Sequence, residues 1–136
     1  MQTEQTIDRT LLRKYTEIAI EDRGDHVAVR FSGLPGIGDV KAAVESLVGP
    51  EGFLHTRWLY DFRGLTQGDS SEGLDTLSAF SIRVPDPRPS RVAIVADSDF
   101  FLARAAAYQA LRETDTTAVR IFRSEADAVG WLNSGD

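Results

Sequence analysis

The 136-residue sequence contains no cysteine, one methionine and two histidines. Without thiols there is no disulfide, no thiolate nucleophile and no Cys-bound zinc or iron–sulfur centre. His26 and His55 stand far apart, and neither belongs to a His-x-x-His or Glu-x-x-His pair, so a histidine metal site is not expected. Long hydrophobic runs are missing too: no stretch approaches the ~20 apolar residues a membrane helix needs. Met1 to Lys14 carry charges and lack an apolar core of signal-peptide length, which makes the cytoplasm the expected compartment. Bases are in short supply, 15 Lys and Arg against 21 Asp and Glu, for a net charge of −6. They are scattered, whereas a nucleic-acid surface clusters them to displace counterions from phosphates. Nucleic acid is therefore not an expected partner, and neither is stable membrane insertion.

What is present fits one domain with its own core. Hydrophobic residues make up 42% and charged residues 26%, the composition of an ordinary globular chain. Residues 1–14 read as a polar lead-in, with Ile7, Leu11 and Leu12 at helical spacing, and residues 15–136 read as the folded domain. From Tyr15 the period changes to two. Tyr15, Glu17, Ala19 and Glu21 alternate with Thr16, Ile18 and Ile20, and Val27, Val29 and Phe31 alternate with Ala28, Arg30 and Ser32. With Arg23–Gly24–Asp25 between them, these runs predict a β-hairpin.

Asp39 is the expected cap of a helix carrying Val40, Ala43, Val44 and Leu47 on one side, closed by Gly49–Pro50. Arg57 to Phe62 reads as a strand ending at Arg63–Gly64. A polar loop from Thr66 to Ser71 then leads into a helix bearing Leu74, Leu77 and Phe80, which Pro85, Pro87 and Pro89 cannot continue. Val92 to Ala96 is apolar at every position, the pattern of a central parallel strand. Asp97 or Ser98 begins the next helix, Ala118 to Phe122 is a fifth strand, and Ser124 with Asp127 opens a last helix burying Ala128, Val129, Trp131 and Leu132. The order β-β-α-β-α-β-α-β-α predicts an α/β fold, a single mixed five-stranded sheet covered by helices.

Two segments bear a family likeness. Arg91-Val92-Ala93-Ile94-Val95-Ala96-Asp97 resembles the central strand of the STAS/SEC14-like (SpoIIAA-like) group. Val119-Arg120-Ile121-Phe122-Arg123-Ser124-Glu125, continuing to Trp131-Leu132, resembles its last strand and helix. The likeness covers residues 15–133. It implies a SpoIIAA/STAS-like fold with no cofactor. The segment from Asp61 to Leu74 is also similar to the phospho-switch of STAS anti-sigma-factor antagonists, which implies Ser70 and Ser71 as phosphoacceptors. Glu72 departs from that motif, and Gln67–Gly68 stand where such a strand is apolar. Asp69, Ser70 and Ser71 equally suit a plain helix cap.

Asp61, Arg63, Asp97, Ser98, Phe100, Phe101 and Arg123 all fall at carboxyl ends of strands if the strands are parallel. Crevices form there beside a switch in strand order, with helix N-termini pointing in. Arg63 and Arg123 suit an anion, Phe100 and Phe101 an apolar wall, and Asp61, Asp97 and Asp99 a Mg²⁺ ion. Helix capping and core packing account for the same residues without any ligand. No Gly-x-Ser-x-Gly elbow exists, and Gly33 to Gly38 lacks the Lys-Ser/Thr end of a phosphate loop. The sequence thus favours a non-catalytic regulatory or binding module contacting an unidentified protein partner or small ligand at these ends. Behind it stand a carrier of a small apolar or lipid-like molecule and a Mg²⁺-dependent enzyme. Pairing through the open hairpin edge predicts a homodimer.

Overall fold

Alternation of Ile18 and Ile20 with Ala19 and Glu21, and of Val27, Val29 and Phe31 with Ala28 and Arg30, builds the antiparallel hairpin β2 (Ile18–Asp22) and β3 (Val27–Gly33). Gly24 turns it at φ +90°, a conformation few residues but glycine adopt readily, and its N–H donates to Asp22 Oδ1. The computed structural model describes residues 11–15, 18–33, 37–50, 52–66 and 88–134. Strand β1 (Leu11–Tyr15) pairs antiparallel with β2.

The five expected strands are therefore joined by a sixth. The boundary at residue 14 and the helical reading of Leu11 and Leu12 give way to it. The outer edge of β2 presents unpaired N–H and C=O groups, and an extended partner satisfies them where a helix cannot. The open hairpin edge proposed for dimer pairing is covered by β1. Tyr15, expected at the start of the hairpin, belongs to β1 instead.

Helix α1 (Ile37–Glu45) carries Asp39 within its first turn, not at the cap, where its charge still suits the helix dipole. A two-residue hairpin, β4 (Val48–Gly49) and β5 (Gly52–Phe53), leads to β6 (Arg57–Leu65). The helix expected after Ser71 lies outside the described residues. Strand β7 (Ser90–Val95), helix α2 (Asp99–Arg112), strand β8 (Thr117–Phe122) and helix α3 (Glu125–Leu132) complete the order. Ser98 caps α2 by accepting from the Phe101 N–H, and Ser124 caps α3 by accepting from the Asp127 N–H, as the sequence predicts for both.

The main sheet runs β1-β2-β3-β6-β7-β8, with β3, β6, β7 and β8 parallel and the first two strands antiparallel. On one face Val29, Phe31, Trp58, Tyr60, Phe62, Ile94 and Val119 pack with α1 and α2. Aromatic rings dominate that layer, with Phe31 edge-on to Tyr60 at 6.0 Å and to Phe62 at 5.5 Å. Burial, and beside it the neighbouring Tyr108, pushes the Tyr60 hydroxyl well above its ordinary range, so it stays neutral. The opposite face is lined by Ala28, Leu59, Ala93 and Val95 under Ala128 and Leu132 of α3. Three alanines in this layer let α3 lie close to the strands. The same face carries the charged residues considered next.

Candidate functional site

Strands β3 and β6 stay in register from Val27 opposite Trp58 to Arg30 opposite Asp61, and then slip. Ser32 lies opposite Gly64, so β6 has three steps where β3 has two. Such a bulge withdraws a backbone group from the ladder. Here the Arg63 N–H donates to Asp61 Oδ1 at 3.0 Å instead. Gly64 makes the slip tolerable, because a Cβ at that position would lie 2.8 Å from the Phe31 carbonyl oxygen.

The Asp61 side chain is 7% exposed. It accepts from Arg30 Nη1, Arg63 Nε and Arg63 Nη2, each at 2.9 Å. Both arginines continue to Glu125, the first residue of α3: Arg63 Nη2 at 2.9 Å and Arg30 Nη2 at 3.1 Å. Arg23, from the hairpin turn, spans Glu125 and Glu21 at 2.9 Å each. Three guanidiniums thus meet three carboxylates (Glu21, Asp61 and Glu125) in one charge-balanced cluster, which fastens the start of α3 to the carboxyl end of β6.

Burial pushes the Asp61 carboxyl up. Hydrogen bonds from the Arg63 side chain and backbone, with the charges of Arg63 and Arg30, outweigh burial and hold it below the ordinary carboxylate value. Glu125 follows the same pattern: burial raises it, and Arg23 and Arg30 bring it below its usual range. The hydrogen bond to Asp61 raises Arg63 above its usual value. Asp61, Glu125, Arg23 and Arg63 are thereby held in their charged forms at neutral pH, and none of these four is poised to exchange a proton.

Among the other sequence-predicted residues, Asp97 lies two residues beyond the end of β7 and is exposed. Ser98 is engaged as the α2 cap. The Asp99 side chain is fully in solvent, with Arg123 3.9 Å away. Phe101 is buried in the core, and Phe100 is half-buried with the Arg104 guanidinium 4.8 Å above its ring. Ser70 and Ser71 lie outside the described residues.

The strand tips do come together, since β6, β7 and β8 are parallel neighbours in register from Asp61 through Val95 to Phe122. Three details differ from expectation. Strand order is monotonic, without the reversal that opens a crevice in doubly wound sheets. Arg63 and Arg123 form no joint anion site, because Arg63 is neutralised by Asp61 and Glu125 while Arg123 faces Asp99. Asp61, Asp97 and Asp99 form no metal site: the Asp61 oxygens are taken by guanidiniums, and no group of three acidic or histidine ligands occurs among the described residues.

Sequence reasoning missed Arg23, Arg30, Glu21 and Glu125 as site residues. The available signal was Arg30 in the middle of an apolar strand, on the period-two face opposite Val29 and Phe31. A cation there needs a partner. Also missed was a groove of about 740 Å³ at the amino ends of β6, β7 and β8, the opposite end of the sheet from the predicted tips. Trp131, expected to anchor the core, is half-buried on its rim.

These features define a mixed α/β sheet of the SpoIIAA-like class. The chain is similar to an uncharacterised protein of the DUF3478 family with a SpoIIAA-like fold from Shewanella loihica PV-4. That likeness has a TM-score of 0.55 at 20% identity and covers 85% of this chain and 91% of the other. At that identity the likeness defines the fold alone. No family model matches the sequence. No curated protein matches it either. Among the described residues no helix is long and apolar enough to cross a membrane.

Proposed function

We propose that the protein is a non-catalytic binding module of the cytoplasm whose carboxyl-end surface docks a protein partner. The observation that carries this reading is the chemical state of that end. Its buried ionisable groups are mutually neutralised, and the Ser98 and Ser124 hydroxyls serve as caps. Among the described residues of that end, no buried general base or activated nucleophile is left. What faces outward is a mosaic of opposite charges, the exposed Asp97, Asp99 beside Arg123, and Arg63 with about a third of its side chain in solvent. Surfaces of this kind steer encounter and select partners by complementary charge.

Ser70 and Ser71 belong to the proposal as phosphoacceptors, since a phosphate would add nearly two negative charges where the sequence predicts a helix start. Self-association through an outer strand completes it. The test is a photo-crosslinking amino acid introduced at position 99 in growing cells, with the exposed Leu111 in the last turn of α2 as the control position. A discrete adduct is expected at 99, weakened about tenfold by Arg123→Glu through the charge-dependent encounter rate. Identical adducts from positions 99 and 111, or no change with Arg123→Glu, would sink the proposal.

A further inference from the structure

The groove at the amino ends holds the second charged assembly of the molecule, and its balance differs from the first. Arg57, the first residue of β6, and Arg91, the second of β7, are directly paired in the parallel ladder, so their side chains leave the same face of the sheet side by side. Arg120 stands on the same face of β8, two residues beyond Ala118, the partner of Arg91. Like charges opposed on neighbouring strands destabilise a sheet unless something compensates them.

Part of the compensation is visible. Arg57 Nη1 donates to the Leu132 carbonyl, and Arg91 Nη1 donates to the Trp131 carbonyl and the Ser134 hydroxyl at 2.7 and 2.6 Å. These bonds cap the negative end of the α3 dipole. They use one nitrogen of each guanidinium. Arg120 makes no hydrogen bond among the described residues. It lies over the Trp131 ring at 5.4 Å, while Arg91 approaches the same ring at 5.2 Å.

Among the described residues, acids do not close the balance. The Glu113 carboxylate accepts from the Val119 N–H, and Asp115 sits out on the loop before β8. Of the groups in the described residues, three guanidiniums therefore face a half charge of helix dipole and two peripheral carboxylates, in a chain whose net charge is −6. The hydroxyls of Thr116 and Ser134 line the same space, and its volume of about 740 Å³ suits a small metabolite.

From this we infer that the groove is a binding site for a small organic phosphate, a phosphate monoester held by Arg57, Arg91 and Arg120. Guanidinium forks match the paired oxygens of such a dianion, and the flanking hydroxyls suit its ester portion. The site lies at the end of the sheet opposite the proposed docking surface and does not depend on that reading.

The test is titration of the full chain with ribose 5-phosphate, followed by ¹⁵N–¹H NMR at the Trp131 indole N–H, with chloride and sulfate at matched ionic strength as controls. The Trp131 signal is expected to shift with saturation below about 1 mM, while inorganic phosphate binds at least about tenfold more weakly. Arg120→Ala leaves both α3 end contacts in place, so it is expected to weaken binding about tenfold or more without lowering the melting temperature. A Trp131 signal that does not move up to about 10 mM sugar phosphate would overturn the assignment. So would equal affinity for inorganic phosphate, a matching response to sulfate, or wild-type affinity in Arg120→Ala.

Discussion

Replacing Phe62 with alanine is expected to lower the unfolding free energy by roughly 3–5 kcal/mol, the cost of removing a large ring from a packed interior. The ring is fully buried and meets Phe31 edge-on. Its surroundings cannot easily collapse into the space. On its own strand it is flanked by Asp61 and Arg63, whose side chains are held on the opposite face by the ion cluster. A shift of β6 towards the vacancy would pull those bonds apart. The denaturant midpoint should fall with its slope unchanged, and the melting temperature should drop by roughly 10–20 °C. A loss of less than about 1 kcal/mol would mean that the aromatic layer repacks, contrary to the rigidity assigned to it.

The second large effect concerns Asp61. Changing it to asparagine keeps the shape but leaves Arg23, Arg30 and Arg63 facing only Glu21 and Glu125. Breaking a buried ion pair from one side typically costs ~3–5 kcal/mol. Arg30 and Arg63 are about a third exposed and can draw water, so a loss of roughly 2–3 kcal/mol is expected. The pH dependence follows from the direction of the shifts. Asp61 and Glu125 are held below their ordinary values in the folded protein. Their contribution is fully present above the unfolded-state values of about 3.9 and 4.3, and it is lost as pH falls through the folded ones. Unfolding measured at pH 7, 5, 4 and 3 should therefore show wild-type stability falling in the acid range. The fall should be shallower in Asp61→Asn, which lacks one of the two titrating groups. Parallel curves for the two proteins would refute the role given to the cluster.

The class of fold was legible because its signals are local. Period-two alternation on either side of Gly24, an uninterrupted apolar run from Val92 to Ala96, and serines placed to cap α2 and α3 each report on a few neighbouring residues. Strand β1 was not legible: five residues with adjacent leucines carry no period, and only the unpaired edge of β2 gives them a reason to be extended. The candidate site shows the same division. That Asp61 in β6 and Asp97 after β7 lie towards the same end of neighbouring strands could be read from strand order. That Asp61 is consumed by Arg30 and Arg63, and that Glu125 reaches back to Arg23 across 102 positions, is decided by register and by the slip at Gly64. The groove escaped notice for a related reason. Arg57, Arg91 and Arg120 are isolated bases in sequence, and they become a cluster only when three parallel strands start side by side.

Helix α3 has a position whose consequence reaches beyond either end of the sheet. Its first residue is locked into one arginine assembly and its final carbonyls into another, so eight residues run from the carboxyl ends of the strands to their amino ends like a clamp. If that clamp were cut away by truncation after Arg123, five charged groups would remain at the far end: three cations and two anions. Arginines at the near end would lose their carbonyl partners at the same time. The shortened chain would then carry uncompensated positive charge at both rims of an uncovered apolar sheet, conditions that favour capture of polyanions and clumping over refolding.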